Sequence, residues 1–168
     1  MPLANMNAMH MSSNRNYEVQ RSHNFELILS GVAGSDILAL ALESFPGAKQ
    51  STPAIELAYQ NSKVKVAGQA QLEDFEMVVK DFIGADTERI VNDWHRAVYN
   101  PETGQTGFTA DYKKNGTLYE YSPDGSVSRS WKIVGCWPNN VDYGSFDYNN
   151  SDKKTIELPL SVDQAYRE

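Results

Sequence analysis

The chain has 168 residues, with 22 acidic against 15 basic side chains and a formal net charge of −7. That length predicts one domain, able to bury about two-thirds of its unfolded surface without disulfides or metals. The acid excess excludes simple wrapping of nucleic acid, which draws its affinity from Lys and Arg on phosphates. A single cysteine, Cys136, excludes an internal disulfide framework. No apolar run reaches the length of a membrane span. The first residues, M-P-L-A-N-M-N-A-M-H-M, lack the basic start and apolar core of a secretion signal, so assembly in the cytoplasm is expected.

Residues 1–16 are rich in Asn, Ser and Met without a period and read as a flexible arm, with the domain over 17–168. Phe25, Leu27 and Leu29 alternate with Glu26, Ile28 and Ser30, which predicts a strand largely buried on both faces. Ile37–Leu42 is too short to separate helix from strand by period. Ala54–Tyr59 and Ser62–Ala67 predict two extended runs with a turn at Asn61-Ser62. Their apolar content is thin, and such a hairpin is marginal alone. It lies either on its own domain or against another subunit.

Leu72–Lys80 predicts a further strand, with Phe75, Met77 and Val79 on one face and Glu76 on the other. The period then changes. Ile90, Val91, Trp94, Ala97 and Val98 recur at helical spacing, capped by Asp86 or Thr87 and stopped by Asn100-Pro101, giving a helix over about Asp86–Val98. Trp94 reads as a core anchor. Glu102–Thr109 is expected to be a flexible loop, and its glycines do not make a phosphate loop. Thr117–Tyr121 and Val127–Val134 flank Ser122-Pro123-Asp124-Gly125, the clearest hairpin signal in the chain.

The closing stretch reads as strand, corner, excursion, strand. Gly135 permits a kink, while Pro138 fixes its own φ and drives Trp137 extended, so Gly135, Trp137 and Pro138 form a structural corner. Ile156, Leu158, Leu160 and Val162 then alternate with polar positions. Catalytic chemistry finds no support. His10, His23 and His95 are scattered, and no metal-ligand or nucleophile motif occurs. Asp142, Asp147 and Asp152 fail the calcium-loop spacing. Cys136 has no histidine nearby and reads as a small buried residue. Neither a cofactor nor a metal is expected.

The corner I-V-G-C-W-P-N-N-V, the Asp/Asn/aromatic excursion and I-E-L-P-L-S-V-D together resemble the tube proteins of contractile phage tails. Val64–Gly68, Leu72–Val79, Asp93-Trp94 and Tyr112–Lys114 extend the likeness, in order, over about residues 24–166. The resemblance implies a mainly β fold. Two packed antiparallel sheets would form a sandwich or partly closed barrel, with one flanking helix and a protruding hairpin. That fold is shared with the ring protein of type VI secretion, Hcp. It also tilts Ile37–Leu42 toward a strand.

By the same resemblance the protein is a structural subunit, not an enzyme. Hexameric rings would stack into a tube that conducts DNA when the sheath contracts. Expected partners are copies of itself, the sheath, the baseplate tube initiator, the tape-measure protein and the tail terminator, and its place is the virion. Ile55, Leu57, Tyr59, Asn61, Lys63 and Lys65 become candidates for contact between rings. Glu76 and Glu157 are candidates for a net-negative lumen through which DNA slides unbound. The alternatives are a secretion or injection-system tube, and, from another class, a β-sandwich binding module or hydrolase with a concave aromatic site.

Overall fold

A computed structural model of the protein describes residues 18–168, and the expected arm over 1–16 lies outside them. In chain order, β1 (Phe25–Ser30) leads into helix α1 (Ser35–Ala41) and the short β2 (Leu42–Ser44). Next come β3 (Gln50–Ser51), β4 (Ala54–Tyr59), β5 (Ser62–Ala67) and β6 (Gln71–Leu72). β7 (Phe75–Lys80) precedes helix α2 (Thr87–Val98), then β8 (Tyr99–Asn100), β9 (Gln105–Thr106) and the single turn α3 (Thr109–Tyr112). The chain closes with β10 (Lys114–Tyr121), β11 (Val127–Pro138), β12 (Thr155–Ser161) and β13 (Gln164–Arg167).

The strands build two antiparallel layers joined through one long strand. In the first, β1 pairs β10, β10 pairs β11, and β11 pairs β13. At Trp137 and Pro138, β11 leaves this layer and pairs β12, which continues through β7 to β2. The layers form an open sandwich, not a closed barrel. Between them lie Leu27, Leu29 and Ile133 from one side and Phe75, Met77, Val79, Ile156, Leu158 and Leu160 from the other. The expected alternation explains this core, because directly opposed residues share a face and Ile156↔Val79, Leu158↔Met77 and Leu160↔Phe75 are opposed.

Helix α2 closes one side, burying Val91 and Trp94. Its start is capped as expected, with the Asp86 carboxylate accepting from the Arg89 N–H at 3.2 Å. The Trp94 indole N–H donates to the Tyr112 carbonyl at 2.9 Å, so this buried aromatic leaves no polar atom unmet.

Several expectations are corrected. Ile37–Leu42 is not a strand: Ser35–Ala41 is helical, buries Leu38 and Ala41 three residues apart, and turns extended only at Leu42. Two alanines in seven residues favour that outcome. β1 is buried on one face only, since Leu27 and Leu29 are covered while Ile28 remains 41% exposed. The strand expected over Leu72–Lys80 breaks at Glu73-Asp74, where the chain passes from β6, paired with β3, into β7. The loop after α2 is tied down: Tyr99↔Thr106 and Asn100↔Gln105 pair, and the Gly107 N–H donates to the Val98 carbonyl at 3.0 Å. A Cβ at Gly107 would strike the Ala97 carbonyl, which is why glycine stands there.

Candidate assembly interface

The β4–β5 hairpin leaves the sandwich and carries no cover of its own: all twelve residues are exposed. Its tip is Gln60-Asn61, one residue earlier than expected, with Tyr59 opposite Ser62 and Gln60 at φ +51°. The register sorts the side chains by face. Ile55↔Val66 and Leu57↔Val64 lie with Tyr59 on one side, and Glu56↔Lys65 and Ala58↔Lys63 on the other. The apolar side is half in solvent, from 42% at Val66 to 69% at Tyr59. On the polar side Glu56 holds both lysines, Lys63 at 3.0 Å and Lys65 at 3.6 Å. The candidates Ile55, Leu57 and Tyr59 are thus brought together, Lys63 and Lys65 stand behind them, and Asn61 is at the tip. The root is fixed by the Gly68 N–H donating to the Pro53 carbonyl at 2.7 Å.

A second feature is the pair of bare edges on the first layer. Among the described residues β1 pairs only on its β10 side, and β13 only on its β11 side. The outward face between them carries Glu26, Ile28, Tyr119, Lys132 and Tyr166, which oppose one another across the ladders or flank those positions. The Tyr121 hydroxyl donates to Glu26 at 2.6 Å, and that bond raises the phenol pKa. Lys132 faces Glu168 at 3.8 Å.

The corner is where β11 changes layers. Gly135 adopts φ +69°, and a Cβ on it would collide with the Asp163 carboxylate. Asp163 is held by Lys113 at 2.6 Å, and the Gly135 N–H donates to the Asn115 side chain at 3.1 Å. Pro138 is buried, and Trp137 is half-buried with its ring edge-on to Tyr112 at 5.6 Å. Cys136 between them is fully buried, its thiol donates to the Lys114 carbonyl at 3.2 Å, and burial pushes its pKa up to about 12. Such a thiol stays protonated and unreactive at neutral pH.

Glu76 and Glu157 both sit on the outward face of the second layer, exposed, on neighbouring strands. Glu157 also exchanges two backbone hydrogen bonds with Asp142 at 2.9 Å. The three loop aspartates, Asp142, Asp147 and Asp152, line one open cavity beside Lys154 and Glu157 but form no group placed to hold a metal. Asp142 and Asp147 each accept a nearby backbone N–H in a tight turn, at 2.9 Å. Among the described residues no cluster of His, Cys, Asp and Glu is placed to hold a metal, and no helix is long and apolar enough to cross a membrane.

Sequence reading missed the residue that anchors this excursion. Lys154 reaches Glu88 at 2.6 Å and Asp81 at 3.2 Å, and lies 5.0 Å from the Phe146 ring. The Glu88 bond chiefly raises its pKa. Its partners are 66 and 73 positions away along the chain, as their numbers show, so no local pattern marks it.

The model of the family described as T4-like virus tail tube protein gp19 matches residues 22–165. Tail tube protein gp19 of Enterobacteria phage T4 is 30% identical over 114 residues, covering 65% of this chain and 69% of that protein. The sheath-tube complex of an extracellular contractile injection system, PVC, in its extended state superposes with a TM-score of 0.70 at 18% identity, over 99% of this chain and 98% of that one. A type six secretion system protein superposes at 0.51 and 10% identity, covering 85% of this chain and 81% of its own.

Proposed function

The chain belongs to the T4-like virus tail tube protein gp19 family, a structural family of the contractile tail and not an enzymatic one, and on that premise we propose how it assembles. Six copies close into a ring through the first layer, and rings stack through the β4–β5 hairpin into a hollow tube. The observation that supports ring closure is the pair of bare edges. β1, β10, β11 and β13 are successively antiparallel, so β1 and β13 run in opposite directions. The β13 edge of one copy then meets the β1 edge of the next antiparallel, and an all-antiparallel inner barrel closes without exposed edges. An odd number of strands would force a parallel seam.

Stacking is supported by the one-sided apolar hairpin, which its own domain leaves uncovered. Contact between a hairpin and a different surface on the next ring is heterologous, and such contacts propagate as a filament. The bore is then lined by the outward face of the first layer, where Glu26 and Glu168 outnumber Lys132. This gives the lining to the first layer in place of Glu76 and Glu157. A slightly acidic, hydroxyl-rich wall repels phosphates and lets DNA slide. The sheath, baseplate initiator, tape-measure protein and terminator are the partners that such a tube requires. The likenesses to injection-system and secretion proteins, under 20% identical, concern the fold. The phage-tail reading rests on the family match and the phage T4 relative. Negative-stain microscopy and light scattering of purified protein test it. Rings with sixfold symmetry are expected, and a strict monomer at high concentration overturns it.

A further inference from the structure

The ladders fix which backbone groups each bare edge offers. The Glu168 N–H donates to the Ser130 carbonyl, in the same register as Lys132↔Tyr166. Hydrogen-bonded pairs alternate in an antiparallel ladder, so Tyr166 bonds to β11 while Ala165 and Arg167 turn their N–H and C=O groups outward. On the other edge the Tyr121 N–H donates to the Asn24 carbonyl, in the register of Phe25↔Glu120. By the same alternation Phe25, Leu27 and Leu29 turn their backbone groups outward. Leu27 and Ala165 are both buried in the core, so opposing them continues the pleat across a seam without flipping either face.

One of those outward groups is already taken. The Gln50 side-chain amide donates to the Ala165 carbonyl at 2.8 Å. A strand joining β13 would lie about 4.8 Å away, in the space this amide occupies. The Gln50 backbone is meanwhile pinned by β6, opposite Leu72, and the Lys49 carbonyl accepts from the Glu73 N–H at 3.1 Å. Only side-chain rotation is needed to vacate the acceptor.

We propose that Gln50 is a displaceable edge cap, holding the Ala165 carbonyl in the free subunit and yielding it to the backbone of β1 from a second copy as the ring closes. The proposal rests on the ring seam described above. Capping satisfies an otherwise bare acceptor and blunts an edge that would invite uncontrolled pairing. It also makes each seam compete with an internal hydrogen bond, which raises the subunit concentration at which rings form.

The test measures ring formation against protein concentration, by sedimentation and negative stain, for the wild type, Gln50→Ala and Gln50→Glu. Glutamate keeps the size of the side chain but has no donor for the carbonyl. Both variants should form rings at about fivefold lower concentration, the ratio that one ordinary hydrogen bond corresponds to. Their melting temperatures should fall by about 2–4 °C at most, the shift that losing one such hydrogen bond corresponds to in a domain of this size. Rings from all three at the same concentration, or only at higher concentration in the variants, overturn the cap and leave the ring intact. No rings from any of the three, wild type included, overturn the ring reading and the cap with it.

Discussion

Two strand pairs in this molecule begin from the same pattern and end in opposite places. In β7 and β12, Phe75, Met77 and Val79 face Leu160, Leu158 and Ile156, and none is more than 2% exposed. In β4 and β5, Ile55 and Leu57 face Val66 and Val64, and each is 42% exposed or more. Each pair alternates with a period of two and pairs six residues per strand. What differs is the second layer. The β7–β12 face meets Leu27, Leu29 and Ile133 across the sandwich, whereas the hairpin projects beyond any facing sheet. Alternation therefore tells which side chains share a face. It does not tell whether that face is covered by the same chain or reserved for another copy.

The comparison breaks first at the buried pair. Leu158→Ala should cost about 2–5 kcal/mol, the range for truncating a fully buried leucine. A domain of total stability about 5–15 kcal/mol would show this as a large drop in denaturation midpoint. Trp137→Ala should follow at about 2 kcal/mol, below the value for a fully enclosed aromatic, because Trp137 is half-buried. A melting temperature unchanged by the Trp137 substitution would show that the layer switch in β11 is held by Gly135 and Pro138 alone.

The same contrast explains how far the sequence could be read. The Ser122–Gly125 turn, the helix from Asp86, and the β7 and β12 strands depend on neighbours in sequence, and their patterns predicted them. Helix α1 was misread because seven residues give barely two turns, and a resemblance then outweighed its alanines. Exposure of Ile28 could not be seen, because a two-sided apolar strand looks the same whether its second face meets its own domain or a neighbour. Lys154 and Gln50 escaped for a different reason. Their partners, Asp81 with Glu88 and Ala165, lie far away in the chain, and polar side chains carry no period that would point to them. The candidate assembly face was half legible: the hairpin was visible, but its division into an apolar and a lysine-bearing side required the register.

Local capping makes a smaller prediction. Asp86→Ala should destabilise by about 1 kcal/mol, the typical value for removing a side chain that accepts a helix N-terminal N–H. Asp86 also sits at φ +51°, a conformation that Asn tolerates better than Ala, so Asp86→Asn should recover most of the loss. Equal melting temperatures for all three proteins would assign helix α2 entirely to Val91 and Trp94 packing.

The hairpin should show the smallest effect on the subunit and the sharpest effect on its assembly. Leu57→Ser with Val64→Ser removes two opposed side chains, 51% and 52% exposed, from the middle of the apolar face. Folding stability should change by no more than about 0.5 kcal/mol, as for ordinary surface substitutions. Rings should still form, because the hairpin lies outside the layer that carries the bare edges. Stacking should fail, because the buried apolar centre of an interface carries most of its energy. Lys63→Glu with Lys65→Glu alters the opposite side, where Glu56 already neutralises one of the two charges. That variant should stack more slowly and with altered salt dependence, which is how charges at an interface rim act. Tube lengths by electron microscopy at low and high salt separate the two. Normal tubes from the serine variant and none from the charge reversal would mean that the lysine side is the one a second ring covers. The exposed leucine and valine would then be surface residues without a partner, and the contrast with the buried pair would lose its functional meaning.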